Sequence, residues 1–312
     1  MTARPGAPMF RAAALRVRVP ATSANLGPGF DSFGLALSLA DEVVVRVAEQ
    51  GLDIDVAGEG AETVRRDHRN LVVKAMHAAF DRMGGRPRGL EVRCLNRIPH
   101  SRGLGSSAAA VVAGAWAARA LTVGGEERLD DDALLALVTR MEGHPDNVAA
   151  ALRGGFTVAW TEDDGCPHAV SSTPSLDVVP VVFVPAGQVR TVKARAALPD
   201  VVPHADAVRN TARAALLVEA LTRRPDLLFA ATADALHQEY RREVMPRTLR
   251  LVDQLRADGL PAVVSGAGPT VLVLCRPDDA DDVAAREVRG FTAQRLAIDT
   301  DGTRAVPLAA TA

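Results

Sequence analysis

The run Pro99-His100-Ser101-Arg102-Gly103-Leu104-Gly105-Ser106-Ser107-Ala108-Ala109 gathers residue types suited to holding an anion. Its two glycines let main chain approach a ligand closely. Its two serines stand where the first N–H groups of a helix have no intrahelical partner. A turn of this kind, opening a helix whose N-terminus carries partial positive charge, is built for phosphate. As a purely structural element it would be a tight strand-to-helix turn with a serine N-cap. The usual nucleotide signatures do not match: Walker A requires a lysine directly after its second glycine, and none follows here. The chain has only Lys74 and Lys193, neither near a glycine-rich turn. The His-Arg-Asp and Asp-Phe-Gly elements of protein kinases are absent, and the glycines are wrongly spaced for a dinucleotide fingerprint. Phosphate at this turn must be held by backbone N–H groups and hydroxyls.

Two further motifs carry polar groups on small-residue loops. In Pro20-Ala21-Thr22-Ser23-Ala24-Asn25-Leu26-Gly27-Pro28-Gly29-Phe30-Asp31, an amide and a carboxylate stand six residues apart. Asn25 can donate and accept, and Asp31 can bind an ammonium or a hydroxyl; alone, the motif reads as an Asx-stabilised turn. Ser265-Gly266-Ala267-Gly268-Pro269-Thr270 is a glycine turn between two apolar runs. It reads as a hairpin, and Gly266 and Gly268 could brace the phosphate turn from another part of the fold.

The elements that must position these motifs follow from periodicity. Strands are expected over 15–19, 42–47, 90–98, 156–160 and 178–184, with a strand pair at 262–265 and 270–275. Helical spacing covers 70–83, ended by Gly84-Gly85, then 106–121, 130–141, 204–221, 225–237 and 246–258. The stretch 161–175, rich in acids, Gly, Pro and Ser, reads as a linker. Strands and helices are mixed without regular βαβ alternation, which favours an α+β class.

Composition limits the function classes. At 312 residues and 48% hydrophobic content the chain can build one large domain or two lobes with real cores. A formal charge of −2, one tyrosine and dispersed arginines argue against nucleic-acid binding. Cys94, Cys166 and Cys275 form neither a disulfide framework nor a metal-spaced cluster, which predicts a reducing, cytoplasmic setting. No apolar run approaches the ~20 residues of a membrane span. Residues 1–14 read as a flexible tail rather than a secretory signal.

In this order and at these separations, the three motifs resemble the GHMP small-molecule kinases. Their wording is similar to the homoserine-phosphorylating branch, over about 15–275. Glu142-Gly143-His144-Pro145-Asp146-Asn147-Val148-Ala149 is similar to that branch's central signature. Thr191 with Arg195-Ala196-Ala197-Leu198-Pro199, and His237-Gln238-Glu239-Tyr240-Arg241, match two further stretches. Lys193 and Glu239 depart from the pattern, both on the substrate side. The resemblance implies a two-lobed α+β fold: an ATP-binding lobe like ribosomal protein S5 domain 2 over 15–165, and a ferredoxin-like lobe over 170–312. It implies ATP-dependent phosphorylation of the L-homoserine hydroxyl, giving O-phospho-L-homoserine for threonine synthesis. A homodimer is expected by the same analogy.

Roles follow from the chemistry of that reaction. Residues 99–109 would cradle ATP, and a serine hydroxyl, Ser107 or Ser106, with Glu142 would hold Mg²⁺. Homoserine is a zwitterion; Asn25 and Asp31 suit its ammonium, while Arg195 and Arg241 suit its carboxylate. His144, Asn147 and Thr191 would complete the substrate contacts. Asp146 and Asn147 are adjacent candidates for the position facing the hydroxyl, with Arg195 alongside. The rival readings are a GHMP kinase for mevalonate, a sugar or a polyol, and a non-catalytic or RNA-binding member of the fold.

Overall fold

The computed structural model describes residues 6–308. In chain order the elements are β1 (Leu15–Asn25), β2 (Gly29–Ala48), β3 (Gly51–Gly58), α1 (Leu71–Arg82), β4 (Gly89–Asn96) and α2 (Ser106–Leu121). Then come α3 (Gly125–Arg128), α4 (Asp131–Glu142), α5 (Pro145–Arg153), β5 (Phe156–Thr161), β6 (Pro167–Ser172) and β7 (Val179–Pro185). The rest comprises α6 (Thr191–Arg195), α7 (His204–Thr222), α8 (Leu228–Ala231), α9 (Pro246–Ala257), β8 (Ala262–Val264), β9 (Val271–Cys275), α10 (Pro277–Ala284), β10 (Phe291–Arg295) and β11 (Arg304–Pro307).

Seven strands form one sheet in the order β11-β1-β2-β4-β3, with β5 on β2 and β6 on β5. The twenty-residue β2 serves three neighbours: β1 along one edge, and on the other β5 at its start and β4 at its end. Only β3 and β4 run parallel, and α1 is the crossover between them. α1 starts at an Asn70 cap whose Oδ1 accepts from Val72 and Val73 N–H. α2 buries eleven of its sixteen residues, mostly alanine and valine, and packs closely on α1. Small side chains let the two helix backbones approach and so seat the phosphate turn firmly.

The second sheet has the order β10-β7-β9-β8, all antiparallel. Numbered along the chain this is 4-1-3-2, the ferredoxin-like order that the resemblance implied. One apolar core spans both lobes, and a second lies around Phe183, Leu251, Val264 and Val271. Among the described residues, no helix is long and apolar enough to cross a membrane. The three cysteines are free, and burial pushes the Cys94 and Cys275 thiols up to about 12.

Several expectations need correction. The stretch 161–175 is not a linker: β5 and β6 pair as a hairpin from Phe156↔Ser172 to Thr161↔Pro167, extending the first sheet past residue 165. The acids and Gly165 that suggested a linker form its turn. The C-terminal lobe does not hold all of the stretch expected for it, because β11 returns to pair with β1, Leu15↔Pro307 through Arg18↔Arg304. Residues 9–11 are docked rather than loose, with Arg11 N–H donating to Leu121 C=O at 2.8 Å and Val123 N–H to Met9 C=O at 2.9 Å. Residues 1–5 of that expected tail lie outside the described residues. The helix expected over 225–237 stops at Ala231, because the Asp234 carboxylate accepts from the N–H groups of Leu236, His237 and Gln238 and turns the chain.

Candidate active site

The phosphate turn leaves β4 and enters α2. The N-cap is Gly105, at φ +70°, and not a serine; Ser106 and Ser107 are the first helical residues. Their N–H groups, with that of Ala108, precede the first intrahelical donor, Ala109, which bonds Gly105 C=O at 2.8 Å. Leu104 is buried and its C=O accepts from Thr22 N–H at 3.1 Å. Gly103, at φ +78°, lies against the 265–270 turn, where a Cβ would sit 2.3 Å from Ser265 C=O. Ser265 Oγ donates to Gly103 C=O at 2.6 Å and is 2.8 Å from Ser23 Oγ, and Thr270 N–H donates to Arg102 C=O at 3.2 Å. All three glycine-containing motifs therefore meet at one seam. The Arg102 guanidinium is not free for phosphate: it donates to the carbonyls of Pro185, Ala186 and His100.

A cavity of about 230 Å³ adjoins the turn, lined by Val64, Asn70, Asn96, His100, Ser101 and Ser107 among others. Val64, Asn70 and Asn96 were not identified from sequence; only the capping role of Asn70 left a signal there. Asp41 also lines it, a buried carboxylate accepting from the N–H groups of Arg97 (2.6 Å) and Ile98 (2.8 Å). Burial raises its pKa, and it pins the strand end that feeds the turn. A larger cavity of about 480 Å³, lined by Ser175, Leu176, Pro180 and Ile298 among others, contains none of the candidate site residues. The smaller one is lined by His100, Ser101, Ser106 and Ser107 of the phosphate turn.

Ser107, which also lines the smaller cavity, donates from Oγ to Glu142 Oε2 at 2.8 Å, from α2 to the end of α4. Burial raises the Glu142 pKa, and the Ser107 hydrogen bond is what opposes that shift. Among the described residues, no group of three or more His, Cys, Asp and Glu could hold a metal. Gly143 ends α4, His144 caps α5, and Asp146 and Asn147 lie in the first turn of α5, an element sequence periodicity missed. Asn147 Oδ1 accepts from Thr22 Oγ1 at 2.8 Å and would be 3.2 Å from a Cβ on Gly105. Of the two adjacent candidates, Asn147 therefore faces the phosphate turn. Asp146 is buried; its Oδ1 accepts from Asn147 N–H at 2.7 Å, and burial pushes the carboxyl up to about 7.

The charged pair lies beyond these residues. Arg195, on α6, forms a fork with Asp31, Nη2–Oδ1 at 2.5 Å and Nη1–Oδ2 at 3.1 Å, each side chain about one-third exposed. Its Nε is buried without a hydrogen-bond partner. His144 lies within the fields of both, and burial lowers its pKa. Asn25 is committed elsewhere: its Nδ2 donates to Gly266 C=O at 2.8 Å and its Oδ1 accepts from Asp31 N–H at 3.0 Å. It braces the loop that presents Asp31. Arg241 is buried, donating from Nε to Ala194 C=O at 3.1 Å and from Nη1 to Gly266 C=O at 3.3 Å. Desolvation pushes it down to about 10. Thr191 is exposed at the start of α6, as is Lys193, and Glu239 pairs with Arg242 on the surface.

Residues 70–155 match the GHMP kinases N terminal domain, and residues 212–291 match the GHMP kinases C terminal. A homoserine kinase of Streptomyces avermitilis is 61% identical over 303 residues, covering 97% of this chain and 99% of the relative. The chain belongs to the GHMP kinases, in the homoserine kinase family. A Streptomyces coelicolor homoserine kinase of that family is 62% identical over 302 residues, with 97% of each chain covered. The crystal structure of a homoserine kinase from Cytophaga hutchinsonii, 24% identical, shares the GHMP kinase fold at a TM-score of 0.84 over 96% of this chain and 99% of that one.

Proposed function

We propose that this GHMP kinase transfers the terminal phosphoryl group of ATP to the side-chain hydroxyl of L-homoserine. The observation that carries the substrate assignment is the Asp31–Arg195 fork. It offers one carboxylate and one guanidinium side by side, the complement of an amino-acid zwitterion. An entering substrate exchanges the internal pair for two ligand pairs, its ammonium on Asp31 and its carboxylate on Arg195. Mevalonate has no ammonium and sugars carry neither charge, so they would leave one or both partners uncompensated.

The chain's own part in transfer is positioning and charge stabilisation. N–H groups of Gly103–Ala108 and the α2 N-terminus would hold the phosphates, with the 230 Å³ cavity beside them taking the base. Ser107 and Glu142 fit a divalent cation of the Mg²⁺ type: a hydroxyl and a half-buried carboxylate in contact, with phosphate and water completing the set. Bound there, Mg²⁺ would neutralise phosphate charge. Asn147, with its Thr22 hydrogen bond, would orient the acceptor hydroxyl.

The test is a side-by-side assay with ATP, Mg²⁺ and L-homoserine, mevalonate or galactose. Turnover with homoserine alone is expected; turnover confined to another acceptor refutes the reading.

Asp146→Asn is expected to keep turnover within about tenfold of wild type, because a positioned amide still accepts from Asn147 N–H. The folded carboxyl at about 7 lies above its unfolded value, so the folded state binds its proton more tightly. That contribution is full below the unfolded pKa and is lost as pH rises towards 7. The variant should therefore gain Tm over wild type at pH 8 and little at pH 4. A loss of kcat with binding intact would make Asp146 the base instead.

A further inference from the structure

We propose that His237 is a positioning residue for the amino-acid end of the site, acting through one neutral tautomer. It is 1% exposed and makes a hydrogen bond on each side. Nε2 is 2.8 Å from Gly27 C=O, and Nδ1 is 2.9 Å from Arg241 Nη1. A carbonyl can only accept and a guanidinium can only donate. The proton must therefore be on Nε2, and Nδ1 must be bare. Its ring stacks on Phe30 with centroids 5.1 Å apart. That same Phe30 ring lies under the guanidinium carbons of Arg195 (5.4 Å) and Arg241 (5.6 Å). Asp234, on the preceding turn, faces Nε2 at 3.6 Å, but its carboxylate is already taken by three backbone N–H groups.

The consequence is a closed circuit. His237 holds Arg241; Arg241 holds Ala194 C=O, beside Arg195, and Gly266 C=O. Gly266 C=O also receives Asn25, whose Oδ1 fixes Asp31 N–H, and Asp31 returns to Arg195. Through Gly27 and Phe30, His237 fixes the loop that carries Asp31. A proton on Nδ1 would set two donors face to face, so the neutral ring is a condition of the arrangement. This inference rests on the proposed homoserine reading for its substrate.

Two variants separate the two hydrogen bonds. His237→Asn puts an amide oxygen near the Nδ1 position and keeps the acceptor for Arg241. His237→Gln puts an amide nitrogen near Nε2, keeps the donor to Gly27 and leaves Arg241 without its acceptor. His237→Gln is expected to raise KM for L-homoserine about tenfold or more with KM for ATP within about twofold; His237→Asn should stay within about threefold for both. Equal rises in both KM values, or none for either variant, would overturn the proposal. Should the variants fail to fold, ¹⁵N NMR of the unmutated protein at pH 7 decides: the Nε2–H tautomer is expected, and an Nδ1–H ring or an imidazolium overturns it. Absence of homoserine turnover by the unmutated protein would refute the functional reading alone, since the NMR arm does not depend on the substrate.

Discussion

Replacing Gly103 by alanine is expected to lower kcat/KM for ATP by about 10²-fold, the usual cost of misplacing a reacting group by about an ångström. Two effects add at this position. The backbone is at φ +78°, where an L side chain is strained, and the new methyl would lie 2.3 Å from Ser265 C=O. A carbonyl held in a β8–β9 hairpin cannot swing aside as the tip of a flexible side chain can. The turn must therefore move away from the other lobe, taking its N–H groups with it. Tm should fall by roughly 5 °C, on the scale of a few kcal/mol in a chain of this size. Gly259→Ala is the control: φ is +82° there too, but nothing lies within 4 Å of the added methyl. It should lower Tm slightly and leave KM for ATP unchanged. A wild-type KM for ATP in Gly103→Ala would remove the turn from the nucleotide site.

Arg195→Ala should separate binding from stability. The Asp31–Arg195 pair is about one-third exposed, so its loss costs folding only about 0–1 kcal/mol. Loss of a forked contact to a substrate carboxylate is larger, and kcat/KM for homoserine is expected to fall about 10²- to 10³-fold. KM for ATP should change less than about twofold, because the hydrogen bonds of the Arg195 guanidinium go to Asp31 and none goes to residues 99–109. Arg195→Lys would recover only part of the loss, since an ammonium cannot fork. Equal losses for both substrates, measured by steady-state kinetics, would make Arg195 structural.

What the sequence reveals of this site depends on how local each part is. The phosphate turn was legible because strand, two glycines, two serines and an alanine-rich helix are contiguous. The hairpin around Gly266 was legible for the same reason. The roles of Asn25 and Arg102 were not: an amide and a guanidinium suit a ligand equally well, and only their long-range carbonyl partners show that they brace the chain. Asn147 was separated from Asp146 by Thr22, which is 125 residues away. β11 is short and mostly exposed, so it carries no apolar run of the kind that marks β8, and the polar hairpin turn after β5 disguised β6 as a linker. Asp41 sits inside a strand and gave no motif, although its two backbone contacts set the exit of β4.

The late return of the chain bears on how the two sheets are held together. Two separate segments tie the sheets together, one between β6 and β7 and one between β10 and β11. The second runs along β2, with Ser38 N–H donating to Ala297 C=O at 2.9 Å and Asp299 N–H to Ala36 C=O at 3.0 Å. These two crossings add to the apolar core shared by both sheets, so the 265–270 turn is held against the 99–109 turn by covalent chain as well as by packing and hydrogen bonds.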